Sequence, residues 1–447
     1  MPADPATPRT VDVADPGARR DRRILSVLVV AAALPALYLP GRVHNFFDLK
    51  IYMSAMDWWS AGNPLYDYVQ PDRVQGELYF TYPPFAALLL LPFGHLTLGV
   101  TVAIFTGLTL LGVLVTTKWL LDPVIRRHRL PYLFTLAVGA LFVLGVESTR
   151  ETITFGQINM LLVVLILADL LFAVPRDSRW AGVGIGLAAA LKLFPGIFVV
   201  YLLATRRWRA AAVAAATAAG ATLLAAAVAP GDSWRFWTHE LWATDRVGRT
   251  DYTGNQSLFG LLSRLSAPED PSRLIWLPLV AAIVGYGLWR AVRASQAGDA
   301  LTGLTLTGLV AALISPITWT HHIYWFIPAV VILIDATLST DPRTAEGARR
   351  RRRLAAVAVG TSAIIVYGVV SFYDWGIAPT PTDTPWEFVG RNAYVLLCLL
   401  LLAVLPIRTR TGTKPTKSPH PTTHPKTPIP RFTLAGILAM VGFVVGA

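Results

Sequence analysis

Long continuous apolar runs, separated by short polar segments, make up most of the chain. A membrane-spanning helix needs about 20 apolar residues, whereas spanning β-strands alternate apolar and polar positions. The pattern therefore predicts an all-α polytopic membrane protein and excludes a β-barrel. The predicted spans lie at about 24–40, 98–121, 131–147, 155–174, 210–229, 274–292, 301–315, 323–337, 354–371, 393–406 and 432–446.

Two further apolar segments do not fit a straight span. Residues 83–93 are too few to cross a bilayer and predict a short, half-buried helix. The segment 181–204 has basic residues at both ends and contains Lys192 and Pro195. We therefore predict a broken or re-entrant pair of half-helices with its tip inside the membrane. With this pair the chain is expected to contain about 11–13 transmembrane helices.

Charge distinguishes the two ends of the predicted helices. Lys and Arg outnumber Asp and Glu by 39 to 27, and basic clusters such as 126–129 and 349–353 occur in alternate loops. Because cytoplasmic loops retain Lys and Arg, we assign these loops to the cytoplasm. The opposite loops hold most of the acidic and aromatic residues. The net charge of +12 thus indicates orientation rather than nucleic-acid binding. Polar chemistry is expected on the extracytoplasmic, periplasmic face of the plasma membrane.

Composition supports this class and outlines the domains. The chain is 54% apolar and only 15% charged, against about 25% charged in soluble domains, which excludes a soluble enzyme and a disordered chain. The single cysteine, Cys398, excludes a disulfide framework. A signal peptide is the alternative to a first span at 24–40, but no clear cleavage site follows. The predicted domains are a disordered cytoplasmic tail (1–23), a transmembrane domain (24–406) with a first extracytoplasmic loop (41–82), a basic Pro/Thr-rich cytoplasmic segment (407–430) and a C-terminal apolar helix (431–447).

The first outer loop contains the acidic candidates. Asp48 lies in FFDLKIY, between aromatic and aliphatic neighbours near the predicted membrane surface. Such surroundings raise the pKa of a carboxylate and allow it to accept a proton from a hydroxyl. Asp57, in the same loop, is the competing candidate, and a solvated loop aspartate is the alternative for both.

Amides and cations follow at the boundaries of later spans. Gln157 and Asn159 lie at the outer end of a predicted span, where amides suit sugar hydroxyls or simply join helices. Arg150, just upstream, is suited to a phosphate or to pairing with Glu151. Lys192 lies within an apolar stretch, so an anionic partner or snorkelling to the surface is expected.

Two later motifs add polar groups on the same predicted face. Asn255 and Gln256 stand at the start of a predicted helix, where capping is the simpler interpretation. His321 and His322 precede a span among aromatic residues. Adjacent helical side chains point about 100° apart, so the two imidazoles are not expected to bind one metal together. A bond from one of them to a phosphate or a sugar hydroxyl fits better.

Taken together, these motifs resemble one family. Besides the aspartate of the first outer loop, the motifs are YPP (82–84), GQIN (156–159), KLFP (192–195), GNQS (254–257) and SPITWTHH (315–322). Their order over about residues 44–325 resembles glycosyltransferase family 87 of the GT-C superfamily, polyprenol-phosphate-mannose-dependent α-1,2-mannosyltransferases of the actinobacterial envelope. The resemblance implies a GT-C-type bundle with extracytoplasmic interfacial helices.

The resemblance also implies a reaction and its participants. Mannose would move from polyprenyl-phosphate-β-mannose to a mannose hydroxyl of a phosphatidylinositol mannoside glycolipid, with inversion to an α-1,2 linkage. The family's base falls on Asp48, and Lys192, Arg150 and His322 are candidates to stabilise the leaving phosphate. We expect no metal or other cofactor, and a monomer in the lipid bilayer. The candidates for binding sugar or acceptor are Gln157, Asn159, Asn255, Gln256, His321, Tyr82 and Asp57.

Two alternatives stay open at this point. One is a GT-C enzyme that transfers another lipid-linked sugar, such as arabinose. The other is a lipid or sugar transporter or flippase, since Lys192 and a broken helix also suit transport. The concentration of polar groups on one face and the missing internal repeat favour an enzyme.

Overall fold

The computed structural model describes residues 44–408, except 75, 244, 245, 247 and 374–381. The predicted tail, the first span and the segments after residue 408 lie outside the described residues. The first nine helices are α1 (Phe47–Ser60), α2 (Pro84–Gly94), α3 (Leu98–His128), α4 (Tyr132–Gly145), α5 (Glu147–Phe155), α6 (Asn159–Ala168), α7 (Val183–Leu191), α8 (Ile197–Ala204) and α9 (Trp208–Val228). The others are α10 (Pro230–Thr238), α11 (Leu258–Ser266), α12 (Arg273–Gln296), α13 (Ala300–Ile314), α14 (Phe326–Ser339), α15 (Ala345–Tyr367), α16 (Pro385–Arg391) and α17 (Ala393–Val404).

The all-α polytopic architecture is confirmed. Among the described helices, α3, α9 and α12 are each long and apolar enough to cross a membrane. The pairs α4–α5 and α16–α17 meet the same test as bent units, with bends of 64° and 74°. Five shorter apolar helices accompany them, α13 and α14 included. The total of about 11–13 spans stays a prediction, since the first and last apolar runs are not described. The strands of the described chain, β1 (Val69–Asp72) and β2 (Gly76–Tyr79), form one antiparallel hairpin.

Helix α13 is the centre of the bundle. Its residues from Thr302 to Ile314 are all buried, and it packs against α8, α12, α14 and α17. An α-helix that is apolar on every side is stable only when surrounded. Gly308 permits a close approach, because a Cβ atom there would lie 2.1 Å from the ring of Trp325. This contact holds the segment before α14 against the core.

The predicted break in the 181–204 segment is confirmed. Helix α7 ends at Leu191, and Lys192 is extended, with φ −154° and ψ 129°. A short 3-10 turn, Phe194–Gly196, then leads into α8. Proline in this turn has no N–H to continue the α-helical hydrogen bonds. The break thus presents the Lys192 side chain at the junction of two half-helices.

A cluster of charges marks the end of the bundle remote from Lys192. Asp335, in the last turns of α14, is buried and bonded to Arg127, His128 and Arg408. His322 lies before the first turn of the same helix, toward the other end. The predicted basic face and the predicted polar face are therefore at opposite ends of α14.

Candidate active site

Several predicted residues line one cavity of about 430 Å³, here called the main cavity. It lies between the start of α1, the hairpin, the end of α5 and the segment before α14. Its lining residues are His44, Phe47, Asp48, Ile51, Tyr52, Asp72, Val74, Leu78, Tyr79, Thr81, Tyr82, Phe155, Gln157, Lys192, Arg246, Tyr252, Trp319, His321 and His322.

A second space of about 140 Å³, here called the apolar chamber, adjoins the main cavity. The two share five lining residues: Thr81, Tyr82, Lys192, Arg246 and His322. The chamber walls are mostly apolar and aromatic, with Phe194, Phe236 and Trp325 among them. A ligand with a polar head and an apolar tail could therefore pass from one space to the other beside Lys192.

The end of α5 brings Gln157 to Asp48. The backbone N–H of Phe46, before α1, donates to the carbonyl of Thr154 at 2.7 Å. Gly156 then ends α5 with φ +73°, and a Cβ atom there would lie 2.6 Å from Leu49. Glycine meets both requirements, the left-handed backbone and the close approach of α1. As a result, the Gln157 amide donates a hydrogen bond to the Asp48 carboxylate.

The pKa of the Asp48 carboxyl group is shifted from its usual value. Burial raises the pKa of Asp48 to about 6, while the Gln157 hydrogen bond and the charge of Lys192 act in the opposite direction. Burial dominates because it removes water from the charged carboxylate. Near neutral pH the group is still ionised and poised to accept a proton.

A continuous hydrogen-bond chain connects this carboxylate to Lys192. The Gln157 amide oxygen accepts from the Tyr82 hydroxyl at 2.8 Å, and that hydroxyl accepts from Lys192 Nζ at 3.1 Å. The Tyr52 hydroxyl lies 2.7 Å from that of Tyr82 and, because Tyr82 already donates, Tyr52 is the donor. The carboxylate and the ammonium group thus have defined positions in one cavity.

Three polar side-chain atoms surround Lys192 Nζ. Besides Tyr82, Nζ lies 3.2 Å from Asn159 Oδ1 and 2.9 Å from His322 Nε2. Burial lowers the pKa of both His321 and His322 well below the usual range, and the Lys192 charge adds to this. Both imidazoles are therefore neutral, and the Lys192 amine lies between His322 and Tyr82.

The structure brings some predicted site residues together and leaves others outside. Asp48, Tyr82, Gln157, Lys192, His321 and His322 line the main cavity, and Asn159 supports Lys192 from behind. Arg150 does not line it. Its guanidinium donates to the Val366 carbonyl at 3.3 Å, at the end of α15. Asp57 is exposed on the other side of α1. Arg150 is therefore not placed to contact a phosphate in the main cavity, and Asp57 is not placed to contact a sugar there.

Asn255 and Gln256 have partners within the protein and do not line the main cavity. Asn255 donates to the carbonyls of Thr250 and Pro316 and accepts from the backbone of Thr318 at 2.9 Å. Gln256 donates to the carbonyls of Thr253 and Arg391 and accepts from the backbone of Tyr394 at 3.0 Å. Both amides are fully buried. They join the loop before α11 to distant backbone, which is the structural alternative to the predicted sugar contact.

Replacing Asn255 with alanine should therefore lower stability rather than sugar binding. Loss of its bonds leaves buried backbone groups unsatisfied, at about 1–3 kcal/mol for each group. We expect a clearly lower melting temperature in detergent, with unchanged KM values for both substrates in the folded fraction. Gln296→Ala, an exposed amide at the end of α12, is the matched control. A normal melting temperature with a raised sugar KM would restore the binding role.

Arg246 is a residue that the sequence reasoning missed. It lines both the main cavity and the apolar chamber. Its guanidinium donates to the Tyr66 carbonyl at 2.7 Å, pairs with Glu240 at 2.7 Å and lies over the Tyr79 ring at 4.1 Å. No motif surrounds Arg246 in the sequence, so only its position in a long outer loop could have drawn attention to it.

A metal centre was not predicted, and the described residues offer no cluster for one. Within residues 44–408, as far as they are described, no three His, Cys, Asp or Glu side chains lie close enough to hold an ion. Independence from metals stays a prediction to be measured.

Comparison with known proteins identifies a matching family and several relatives. Residues 80–316 match glycosyltransferase family 87. A polyprenol-phosphate-mannose-dependent alpha-(1-2)-phosphatidylinositol mannoside mannosyltransferase of Mycobacterium tuberculosis is 33% identical over 336 residues, covering 71% of this chain and 78% of that protein. The protein of the same name from Mycolicibacterium smegmatis is 30% identical over 442 residues, covering 92% and 94%. An alpha-(1->3)-arabinofuranosyltransferase of Mycobacterium tuberculosis is 30% identical over 305 residues, 64% of each chain. No solved structure shows significant similarity.

Proposed function

The chain belongs to glycosyltransferase family 87, and from this premise we propose that it transfers mannose from polyprenyl-phosphate-β-mannose to a phosphatidylinositol mannoside. Membership of a transferase family excludes the transporter or flippase alternative. The observation that carries the proposal is the hydrogen-bond chain from Asp48 through Gln157 and Tyr82 to Lys192. It provides a base and a cation in one cavity, the two groups that a displacement at a sugar phosphate requires.

The proposed reaction is a single inverting displacement. The acceptor 2-hydroxyl oxygen forms a bond to the anomeric carbon of mannose while the bond from that carbon to the phosphate oxygen breaks. Asp48 takes the hydroxyl proton, and polyprenyl phosphate leaves with the bonding electron pair. Lys192 stabilises the negative charge that grows on the phosphate. Inversion converts the β-linked donor into an α-1,2-linked product.

The two adjoining spaces support a donor that lies with its lipid in the apolar chamber and its sugar in the main cavity. The apolar chamber suits the first isoprene units of a polyprenyl chain, because its walls include Phe194, Phe236 and Trp325. Lys192 and His322 lie on the shared boundary, where the phosphate between lipid and sugar would be. The mannose itself would then occupy the main cavity beside Asp48.

An extracytoplasmic location of the site follows from charge. The main cavity lies before α14, whereas the basic cluster around Asp335 is near the end of that helix. The five arginines at 349–353 lie in the first turns of α15, which follows α14. Under the positive-inside rule that end is cytoplasmic, so the cavity faces the periplasmic side.

The pH dependence of transfer should follow the titration of Asp48. Because the folded protein raises the pKa of Asp48 to about 6, protonation begins to remove the base as the pH falls toward that value. We expect kcat/KM to fall about tenfold per pH unit below this point. A rate profile between pH 4.5 and 8 with saturating acceptor measures this. A plateau that extends below pH 5 would contradict the assignment.

The direct test uses purified full-length protein in lipid vesicles. Radiolabelled polyprenyl-phosphate mannose is supplied with phosphatidylinositol mannosides that differ in mannose number, in the presence of a chelator. We expect a labelled glycolipid whose new mannose is released by an α-1,2-specific mannosidase. The parallel donor is polyprenyl-phosphate arabinose, because an arabinofuranosyltransferase is among the relatives. Transfer of arabinose without transfer of mannose would overturn the proposal.

A further inference from the structure

A third space, here called the recess, adjoins the main cavity. It has a volume of about 60 Å³. It shares His44, Phe155, Tyr252, Trp319 and His321 with the main cavity, and no residue with the apolar chamber. Its other lining residues are Glu151, Gly254, Thr320, Val370, Ser371 and Tyr373. The main cavity therefore adjoins both the recess and the apolar chamber, which share no lining residue with each other.

We propose that the recess binds one hydroxyl-bearing edge of the acceptor sugar, and that His321 and Glu151 form the hydrogen bonds to it. The inference rests on the proposed function and adds the acceptor subsite to it. A water molecule needs about 10–15 Å³ of such space. The recess thus has room for a hydroxyl or hydroxymethyl group together with water.

His321 is the first observation behind this proposal. The side chain is buried, with 5% of the residue exposed, and neither ring nitrogen has a hydrogen-bond partner among the described residues. A buried polar group without a partner is costly, so a partner from outside the chain is expected. The ring is held in place by its neighbours, with Phe155 at 5.1 Å and His322 at 4.6 Å between ring centres.

The position of Glu151 relative to this imidazole is the second observation. Glu151 Oε2 accepts from the Thr320 hydroxyl and lies 3.8 Å from His321 Nδ1. This separation is too long for a direct hydrogen bond. One ligand hydroxyl between them could form hydrogen bonds to both the Glu151 carboxyl group and the His321 imidazole. Aromatic residues on the shared wall would cover the apolar face of the sugar.

The separate walls of the recess and the apolar chamber favour the acceptor, rather than the donor, as the occupant of the recess. In a displacement, the attacking oxygen approaches the anomeric carbon from the side opposite the leaving phosphate. Lys192 and His322 mark the phosphate side, on the boundary with the apolar chamber. Asp48, the proposed base, lines the middle space. We therefore assign the attacking hydroxyl to the part of the main cavity that adjoins the recess, whose walls include neither Lys192 nor His322.

The test compares His321→Phe, His321→Asn and Glu151→Gln. Phenylalanine keeps the ring but removes both nitrogens, whereas asparagine keeps a donor near the Nδ1 position. We expect His321→Phe and Glu151→Gln to raise the acceptor KM about tenfold or more, with an unchanged donor KM and unchanged melting temperature. His321→Asn should recover part of the loss. The exposed residues His95 and Glu269, changed to Phe and Gln, are the matched controls.

Acceptors that each lack one hydroxyl of the terminal mannose make the test specific. A site that binds a hydroxyl through buried polar groups strongly rejects the analogue without it. For one deoxy position we expect the wild-type protein to lose activity and His321→Phe to show no further loss. Equal losses in both proteins at every position would overturn the proposal, as would a raised donor KM alone. Failure of the proposed function is distinguishable, since the wild-type protein would then transfer no mannose.

Discussion

Asp48→Asn should reduce mannose transfer by about 10²–10⁴-fold, the typical contribution of a general base. The amide keeps the size of the side chain and, after rotation, a hydrogen bond to Gln157, but it cannot accept the acceptor proton. The change removes a carboxylate whose ionised form burial disfavours. The melting temperature should therefore be unchanged or raised. Initial rates with labelled donor, measured beside thermal unfolding, give both results.

Two other aspartates make this experiment discriminating. Asp57→Asn is the matched control, because that side chain is exposed on α1 away from the main cavity. Asp72 lines the main cavity from the hairpin and accepts from the Val74 backbone at 2.8 Å. We expect both variants to keep most activity. Full activity of Asp48→Asn, or its equal loss in Asp72→Asn, would refute the assignment of the base.

Lys192→Met should lower kcat/KM for the donor by about 10²–10³-fold, as expected for loss of one group that stabilises charge in the transition state. Methionine matches the length of the side chain but provides no charge for the phosphate. It also ends the bonds to Tyr82, Asn159 and His322. Removal of a desolvated ammonium group and loss of its hydrogen bonds affect stability in opposite directions, so the melting temperature is measured beside the rates.

The donor dependence distinguishes this role from a structural one. Lys118→Met is the control, since its side chain on α3 is 51% exposed and pairs with Asp122. We expect Lys192→Arg to restore only part of the activity, because a planar guanidinium does not reproduce three divergent donors. An unchanged kcat/KM for the donor in Lys192→Met would favour snorkelling of this lysine. A change in the acceptor KM alone would mean that Lys192 does not bind the donor phosphate.

Hydropathy predicted the apolar helices well and the polar ones poorly. The run at 210–229 corresponds to α9, Trp208–Val228, within two residues. By contrast, α15 begins at Ala345 rather than near 354, because Thr344 caps it and arginine is a good helix former. Helix α5, with the sequence ESTRETITF, occupies the connection between the predicted spans at 131–147 and 155–174 and was not predicted as a helix. Apolar runs identify segments that must be buried, whereas a polar helix has no such signature.

In the candidate site, too, some residues could be predicted from the sequence and others could not. Lys192 and Asp48 were found by their type in apolar surroundings, because burial of a charged group is expensive wherever it occurs. Gln157 and Gln256 are the same residue type on the same predicted face, yet Gln157 lines the main cavity and Gln256 joins buried backbone. Glu151 was considered only as a partner for Arg150. Nothing near Gln157 or Gln256 in the sequence indicates which of them lines a cavity and which bonds to buried backbone.

The sequence alone determined the class of the protein, the approximate helices, the predicted sidedness of the loops and the residue types available for chemistry. The helices could be predicted from the sequence because an α-helix forms its backbone hydrogen bonds within its own segment. Only the tertiary structure decided which side chains meet. Gln157 is 109 residues from Asp48, and His322 is 130 residues from Lys192. Such contacts depend on how whole helices pack, and no local pattern records that packing.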